Sequence, residues 1–203
     1  MKVALVSQRV DSLPERGERR DAVDQRLLDW LAACDFLPIP VPNRSDRVAS
    51  LWTRVRPSVV VLSGGNDLVA YGGDAPERDE TERALLAQAL AEHVPLLGVC
   101  RGAELLLDAL GQRLVRAPEH VGARHRLRFE HGDRTVNSYH SWGCQARDAP
   151  VRVLARAEDE VIEAFCHADL HMLGLMWHPE REATFHEHDR MLVARYLTGS
   201  EAR

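Results

Sequence analysis

The stretch that most constrains this chain is residues 95–107, PLLGVCRGAELLL. An apolar run ends at Cys100, and Arg101, Gly102 and Ala103 then open a segment rich in helix formers. This order reads as strand, sharp turn and helix, with the cysteine on the turn. Gly98 and Gly102 suit it, because the positions two residues either side of a strained corner leave no room for a Cβ. The helix begins at the cysteine, so its free N–H groups and positive end favour thiolate over thiol. A cysteine among apolar residues is otherwise a small buried hydrophobe. The two glycines, which a core strand does not need, favour a nucleophile.

With 203 residues and 45% hydrophobic content, the chain can bury one good core and is expected to form one domain over 1–203. Four Trp, three Tyr and four Phe are a thin aromatic supply, so that core should be mostly Leu, Val and Ala. A formal net charge of -5 argues against nucleic acid as a general partner. Cys34, Cys100, Cys144 and Cys166 show neither disulfide nor metal-ligand spacing, and Met1 leads straight into a strand-like VALVS. A reduced, cytoplasmic protein is expected. No apolar run approaches the length of about 20 residues that crosses a bilayer, so no membrane partner is expected either.

Residues 3–7 read as a buried strand and 9–21 as an exposed loop. Val23, Leu27, Leu28 and Leu31 recur at helical spacing and predict a helix over 21–34. A strand over 36–41, a helix over 46–54 and a β-branched strand over 58–63 follow. A Gly-rich loop then leads to a helix from about 79 to 93. This alternation predicts an α/β fold, a doubly wound, mainly parallel sheet with helices on both faces. Short strands near 124–130, 133–138, 151–157, 160–167 and 171–177 predict an antiparallel extension. A last helix over 184–197, with Phe185, Leu192 and Tyr196 on one face, should stop before Gly199.

A nucleophilic cysteine needs a base, and the base needs an orienting acceptor. The segment GLMWHPER supplies both: His178 ends an apolar strand and Glu180 follows two residues later. Pro179 fixes its own φ and holds His178 extended, which lets the two side chains point the same way. His178 is thus the candidate general base and acid, and Glu180 the group that sets its tautomer.

Here the sequence resembles the class I glutamine amidotransferase superfamily, and within it the C26-type gamma-glutamyl hydrolases. The motifs are LSGGNDL (62–68), RDETE (78–82), PLLGVCRGAELL (95–106), VNSYH (136–140) and GLMWHPER (174–181). The resemblance implies a flavodoxin-like fold and a Cys100, His178, Glu180 triad that cleaves a γ-glutamyl amide through a thioester. It also implies an oxyanion hole from the N–H groups of Gly65 and Arg101, and no cofactor. It places Asn66, Arg78, Asp79, Asn137, Ser138 and His140 beside the substrate. Where the superfamily usually has Gln four residues after the nucleophile, this chain has Glu104. A carboxylate there could accept from an α-ammonium but would repel an α-carboxylate.

Other readings stand beside these. Asp79 with Glu82 also fits a capping box, and Arg78 can pair with Glu82 at i, i+4. Asn137, Ser138 and His140 also fit a polar strand end. Arg113, Arg116, Arg124, Arg126 and Arg128, with His120 and His125, form a basic stretch that reads as a solvated face or as a flank for an anionic leaving group. His167, His171, His186 and His188 suggest a metal site only by count: His186 and His188 sit two apart on a predicted helix and face different directions, and no metal is expected.

The short chain, CRGAE, VNSYH and the VIEAF run look most similar to hydrolases of γ-glutamyl-CDP-amidate in capsule phosphoramidate biosynthesis, a nucleotide-linked small molecule as substrate. The alternatives are a γ-glutamyl-GABA hydrolase and a glutaminase subunit that delivers ammonia to a synthase partner. A homodimer is compatible with each.

Overall fold

A computed structural model describes residues 1–146 and 151–197. A nine-stranded sheet runs in the order β4-β1-β5-β6-β13-β12-β11-β8-β9. Its parallel part comprises β1 (Lys2–Val6), β4 (Phe36–Pro40), β5 (Val59–Leu62), β6 (Leu96–Val99) and β13 (Met172–Leu175). From β13 outward the pairing turns antiparallel through β12 (Ile162–His167), β11 (Val151–Arg156), β8 (Val121–Phe129) and β9 (Gly132–Tyr139). β7 (Val115–Arg116) and β10 (Trp142–Gly143) form a separate two-stranded ladder.

The inner parallel strands β5, β6 and β13 are buried on both faces, and side chains along the parallel strands alternate between two cores as a period of two requires. Leu5, Val60, Leu62 and Leu96 face one core, which α2 (Val48–Val55), α3 (Pro76–Ala91) and α4 (Arg101–Ala109) cover. Ala4, Val6, Val59, Val61, Leu97 and Val99 face the other, under α1 (Gln25–Ala33) and α5 (Glu187–Leu197). Leu, Val and Ala dominate both, with Trp30, Trp52 and Trp177 as the large fillers. Among the described residues, no helix is long and apolar enough to cross a membrane.

Three local expectations are corrected. Residues 9–21 are not a loop but a hairpin, β2 (Arg9–Leu13) and β3 (Glu18–Ala22). Its charges hide the alternation, yet Asp11 lies opposite Arg20 and Gly17 turns the chain at φ 64° after a short 3-10 turn. The third helix starts at Pro76 rather than near 79, so Asp79 and Glu82 lie inside it and do not form a capping box. In α5 the buried residues are Asp189, Val193 and Leu197, with Leu192 and Tyr196 only partly covered and Phe185 ahead of the helix. The stop expected before Gly199 lies outside the described residues.

The strand–turn–helix corner appears where the sequence puts it. Cys100 sits between β6 and α4 at φ 52° and ψ -112°, a strained conformation for any residue with a Cβ. Both glycines are required by close approach. A Cβ on Gly98 would stand 2.6 Å from the backbone nitrogen of Ala103, and one on Gly102 2.0 Å from the carbonyl oxygen of Leu62. The helix can therefore lie against β5 only without that methyl. Gly102→Ala is expected to destabilise the fold by about 3 kcal/mol or more, since backbone rather than a movable side chain blocks it. Urea unfolding would read this, and an unchanged midpoint would contradict the corner geometry.

Candidate active site

The site is built by two neighbouring parallel strands. β6 and β13 pair with Val99 opposite Leu175, and the N–H of Cys100 donates to the carbonyl of Leu175 at 2.7 Å. Chain segments distant in sequence thus leave the sheet side by side, one toward Cys100 and the other toward His178. His178 is extended (φ -106°, ψ 90°), and a 3-10 turn over Pro179–Arg181 curls Glu180 back toward it. Glu180 Oε1 lies 2.6 Å from His178 Nδ1. An ionised carboxylate only accepts, so Nδ1 carries the hydrogen and Nε2 offers its lone pair on the other side.

That other side faces the cysteine across Gly64. A Cβ built on Gly64 would stand 2.7 Å from His178 Cε1, 3.4 Å from Nε2 and 3.5 Å from Cys100 Cβ. The His178 imidazole and Cys100 therefore flank one glycine that the sequence reading did not single out. Only the run of glycines at 64 and 65 hints at it. Asn137 fixes the imidazole's backbone from both directions: its Oδ1 accepts from the His178 N–H at 3.0 Å and its Nδ2 donates to the His178 carbonyl at 2.8 Å. The Arg26 guanidinium donates to the carbonyls of Glu180 and Glu182 and holds the turn.

Beside Cys100 lies a cavity of about 340 Å³ lined by Gly65, Asn66, Asp67, Arg101, Glu104, Tyr139, His140 and Ser141. Of the residues expected at the substrate, Asn66, Glu104 and His140 reach this lining. Arg78 does not. Fully buried, it donates from Nε to Glu82 at 3.0 Å and from Nη2 to the carbonyls of Ser63 (2.7 Å) and Gly64 (3.0 Å); Nη1 meets the carbonyl of Gly65. Arg78 therefore holds the loop that carries Gly64 and Gly65. Asp79 accepts from the Val69 N–H at 3.0 Å and pairs with Arg101, whose guanidinium also meets Glu82. Asn137 is spent on His178, as above. Ser138 is fully buried, with its hydroxyl lacking a hydrogen-bond partner. Asn66 uses its amide to accept from the N–H of Val10 (2.9 Å) and donate to that residue's carbonyl (3.0 Å), which docks the β2–β3 hairpin against the loop.

The electrostatics correct one expectation. Burial pushes the Cys100 thiol well up, and the Arg101 N–H aimed at the sulfur only partly opposes it. At a helix start that is also dry, desolvation wins, and the resting group is a thiol. Glu104 is pushed up to about 8, first by burial and then by Asp67, against the pull of Arg101 and Arg78. At neutral pH it is a carboxylic acid, with one donor and one acceptor like the amide it replaces, and it does not repel an α-carboxylate.

The basic stretch is not a uniform positive flank. Arg124 pairs with Glu182 at 3.0 Å, Arg126 with Asp133 at 2.6 Å and Arg128 with Glu160, all near the surface. The Arg181 guanidinium lies 4.7 Å from the ring centroid of Tyr139, which lines the cavity.

Gly64→Ala is expected to lower kcat/KM about 100-fold or more, because its methyl displaces the imidazole by an appreciable fraction of an ångström. Near-normal turnover in steady-state assays would contradict the placement. Glu104 gives a pH test. Between its ordinary value near 4.5 and about 8, the folded state holds a proton that the unfolded chain has lost. The fold therefore weakens as pH rises through that window. Glu104→Gln removes the effect, so its urea midpoint should gain on the parent's from about pH 5 to about pH 9. A constant gap would mean that Glu104 is ionised throughout.

Comparison with known proteins places the chain in a family and a fold. The Peptidase C26 family matches residues 6–180. Gamma-glutamyl-CDP-amidate hydrolase of Campylobacter jejuni is 33% identical over 150 residues, 73% of either chain. Gamma-glutamyl-gamma-aminobutyrate hydrolase of Escherichia coli O157:H7 is 26% identical over 92% of this chain and 89% of that one. A glutamine amidotransferase structure from Thermotoga maritima superposes with a TM-score of 0.63 at 14% identity, over 96% of this chain and 82% of that chain, which shows the shared fold. By the family match and the identity to its relatives, this chain belongs to the Peptidase C26 family.

Proposed function

We propose that the chain hydrolyses a γ-glutamyl amide bond, with Cys100 as nucleophile, His178 as proton shuttle and Glu180 as its orienter. The observation that carries this reading is the meeting of Cys100 and His178 across Gly64, with Glu180 on the far imidazole nitrogen. Because burial keeps the sulfur protonated, attack and proton transfer are coupled: Nε2 takes the thiol proton as sulfur bonds the γ-carbonyl carbon. The carbonyl electrons move to oxygen, where the N–H groups of Arg101 and Gly65 meet the charge. Collapse breaks the C–N bond, and the imidazolium gives its proton to the leaving nitrogen. Water then attacks the thioester with the same imidazole as base, freeing glutamate and the thiol.

For the leaving group we favour a nucleotide diphosphate amidate such as that of γ-glutamyl-CDP-amidate, which would place the chain in cytoplasmic capsule phosphoramidate biosynthesis. The half-exposed Tyr139 ring and the Arg181 guanidinium at the mouth support this. An aromatic face suits a base, and a guanidinium suits phosphate oxygens. A γ-aminobutyrate group has no counterpart for the ring.

Glutamate release from γ-glutamyl-CDP-amidate, γ-glutamyl-GABA and glutamine, assayed separately, tests both levels. The nucleotide substrate is expected to have the highest kcat/KM, and Arg181→Ala should raise its KM about tenfold while sparing γ-glutamyl-GABA. Glutamine as the best substrate would sink the leaving-group assignment. Cys100→Ala should lose activity by about 1000-fold or more, and parent-like turnover would reject the mechanism.

A further inference from the structure

Behind the cavity wall, four buried or part-buried side chains from four segments converge: His120 on a 3-10 turn, His125 on β8, His140 after β9 and Glu163 on β12. Glu163 Oε1 lies 2.9 Å from His120 Nδ1, 3.2 Å from His140 Nε2 and 3.4 Å from His125 Nε2. His120 Nδ1 is in turn 3.3 Å from His140 Nε2. The outer nitrogens are already engaged: His120 Nε2 with Asp159 Oδ2 at 2.9 Å and His140 Nδ1 with the carbonyl of Trp142 at 2.8 Å.

A carbonyl and an ionised carboxylate accept only, so those outer nitrogens carry the hydrogens. In the neutral rings the inner nitrogens then present lone pairs to an anionic oxygen. Protons fit this set poorly. One on His120 Nδ1 satisfies Glu163 but leaves the lone pair of His140 facing the carboxylate. A second on His140 Nε2 sets two N–H groups against each other at 3.3 Å. A divalent ion satisfies all of them at once. Ligands about 2.0–2.1 Å from a tetrahedral zinc stand about 3.3–3.4 Å apart, near the distances from Glu163 Oε1 to the three rings and between His120 and His140.

We infer that His120, His125, His140 and Glu163 form a structural site for a zinc-like divalent ion. Two further observations point the same way. Glu163 Oε2 and His125 Nε2 are buried without a hydrogen-bond partner. Asp159 and the Trp142 carbonyl accept from the outer ring nitrogens of His120 and His140, as the groups that orient metal-bound imidazoles do. Among the described residues, His120, His125 and Glu163 bring ligand atoms within 4.8 Å of one another. The sequence expectation of no metal is revised because its acid, Glu163, joins the basic stretch only through the fold. With four protein ligands the site is closed, so its role is to tie β8 and β9, and with them the cavity residues Tyr139, His140 and Ser141, to β12.

The test is metal binding by the full chain without an affinity tag, stripped with a chelator and titrated with Co²⁺. A tetrahedral visible spectrum saturating at one equivalent, and displaced by Zn²⁺, is expected. His125→Gln, at a part-exposed strand position, should weaken binding at least about tenfold with its far-ultraviolet circular dichroism unchanged. His188→Gln, outside the cluster, should bind like the parent. Only the pale spectrum of hydrated Co²⁺, or parent-like affinity in His125→Gln, would overturn the site. Neither readout depends on the substrate, so failure here and failure of the proposed reaction are distinguishable.

Discussion

The pairing of β6 with β13 is the constraint on which the site depends. Two parallel strands with Val99 opposite Leu175 must deliver the residues that follow them to the same end of the sheet. The hydrogen bond from Cys100 N–H to Leu175 carbonyl continues the ladder one step beyond β6, into the corner itself. A register shift of one residue would reverse which face each side chain takes and separate the Cys100 sulfur from the His178 imidazole. The meeting of Cys100 and His178 is a consequence of sheet register, and the flanking helices serve to bury the strands that set it.

Beneath the cavity the chain keeps charges where apolar packing would be simpler. Arg78, Arg101, Asp79 and Glu82 interlock, and Ser7 donates to Glu82 at 2.6 Å. Such a network contributes little net stability, since desolvation offsets attraction, but breaking it leaves an uncompensated buried charge. What it provides is position. Arg78 binds three consecutive carbonyls of the 63–65 loop, which a hydrophobic residue could not do, and Arg101 is anchored by its side chain while its N–H faces the sulfur.

Much of this was legible in the sequence, for identifiable reasons. The buried runs at 59–62 and 96–99 and the glycines at 98 and 102 encode local geometry, and the corner at Cys100 follows from them. The His178–Glu180 pair was legible because two residues and a proline suffice to define it. What could not be read was any role set by a long-range partner. Arg78 and Asn137 belong to recognisable motifs, yet their hydrogen bonds run to the 63–65 carbonyls and to the His178 backbone rather than into the cavity. The hairpin at 9–22 escaped notice because charged side chains occupy both strands. The thiol's protonation state was misjudged because helix position is local while desolvation is a property of the whole surround.

One join in the sheet has a consequence for how the wall of the cavity is held. Among the described residues, β8 meets β11 through two residue pairs, Ala155 with Phe129 and Arg156 with Arg128, whereas β8 and β9 pair along most of their length. The ribbon is therefore a cantilever: stiff within itself, thinly rooted in the main sheet, and steadied by side-chain ties such as Asn137 to His178 and His140 to Glu163. Exchanging residues along such an arm reshapes the pocket's outer rim without disturbing the parallel strands that align sulfur and imidazole, so acceptor preference can drift while the bond-breaking apparatus stays fixed.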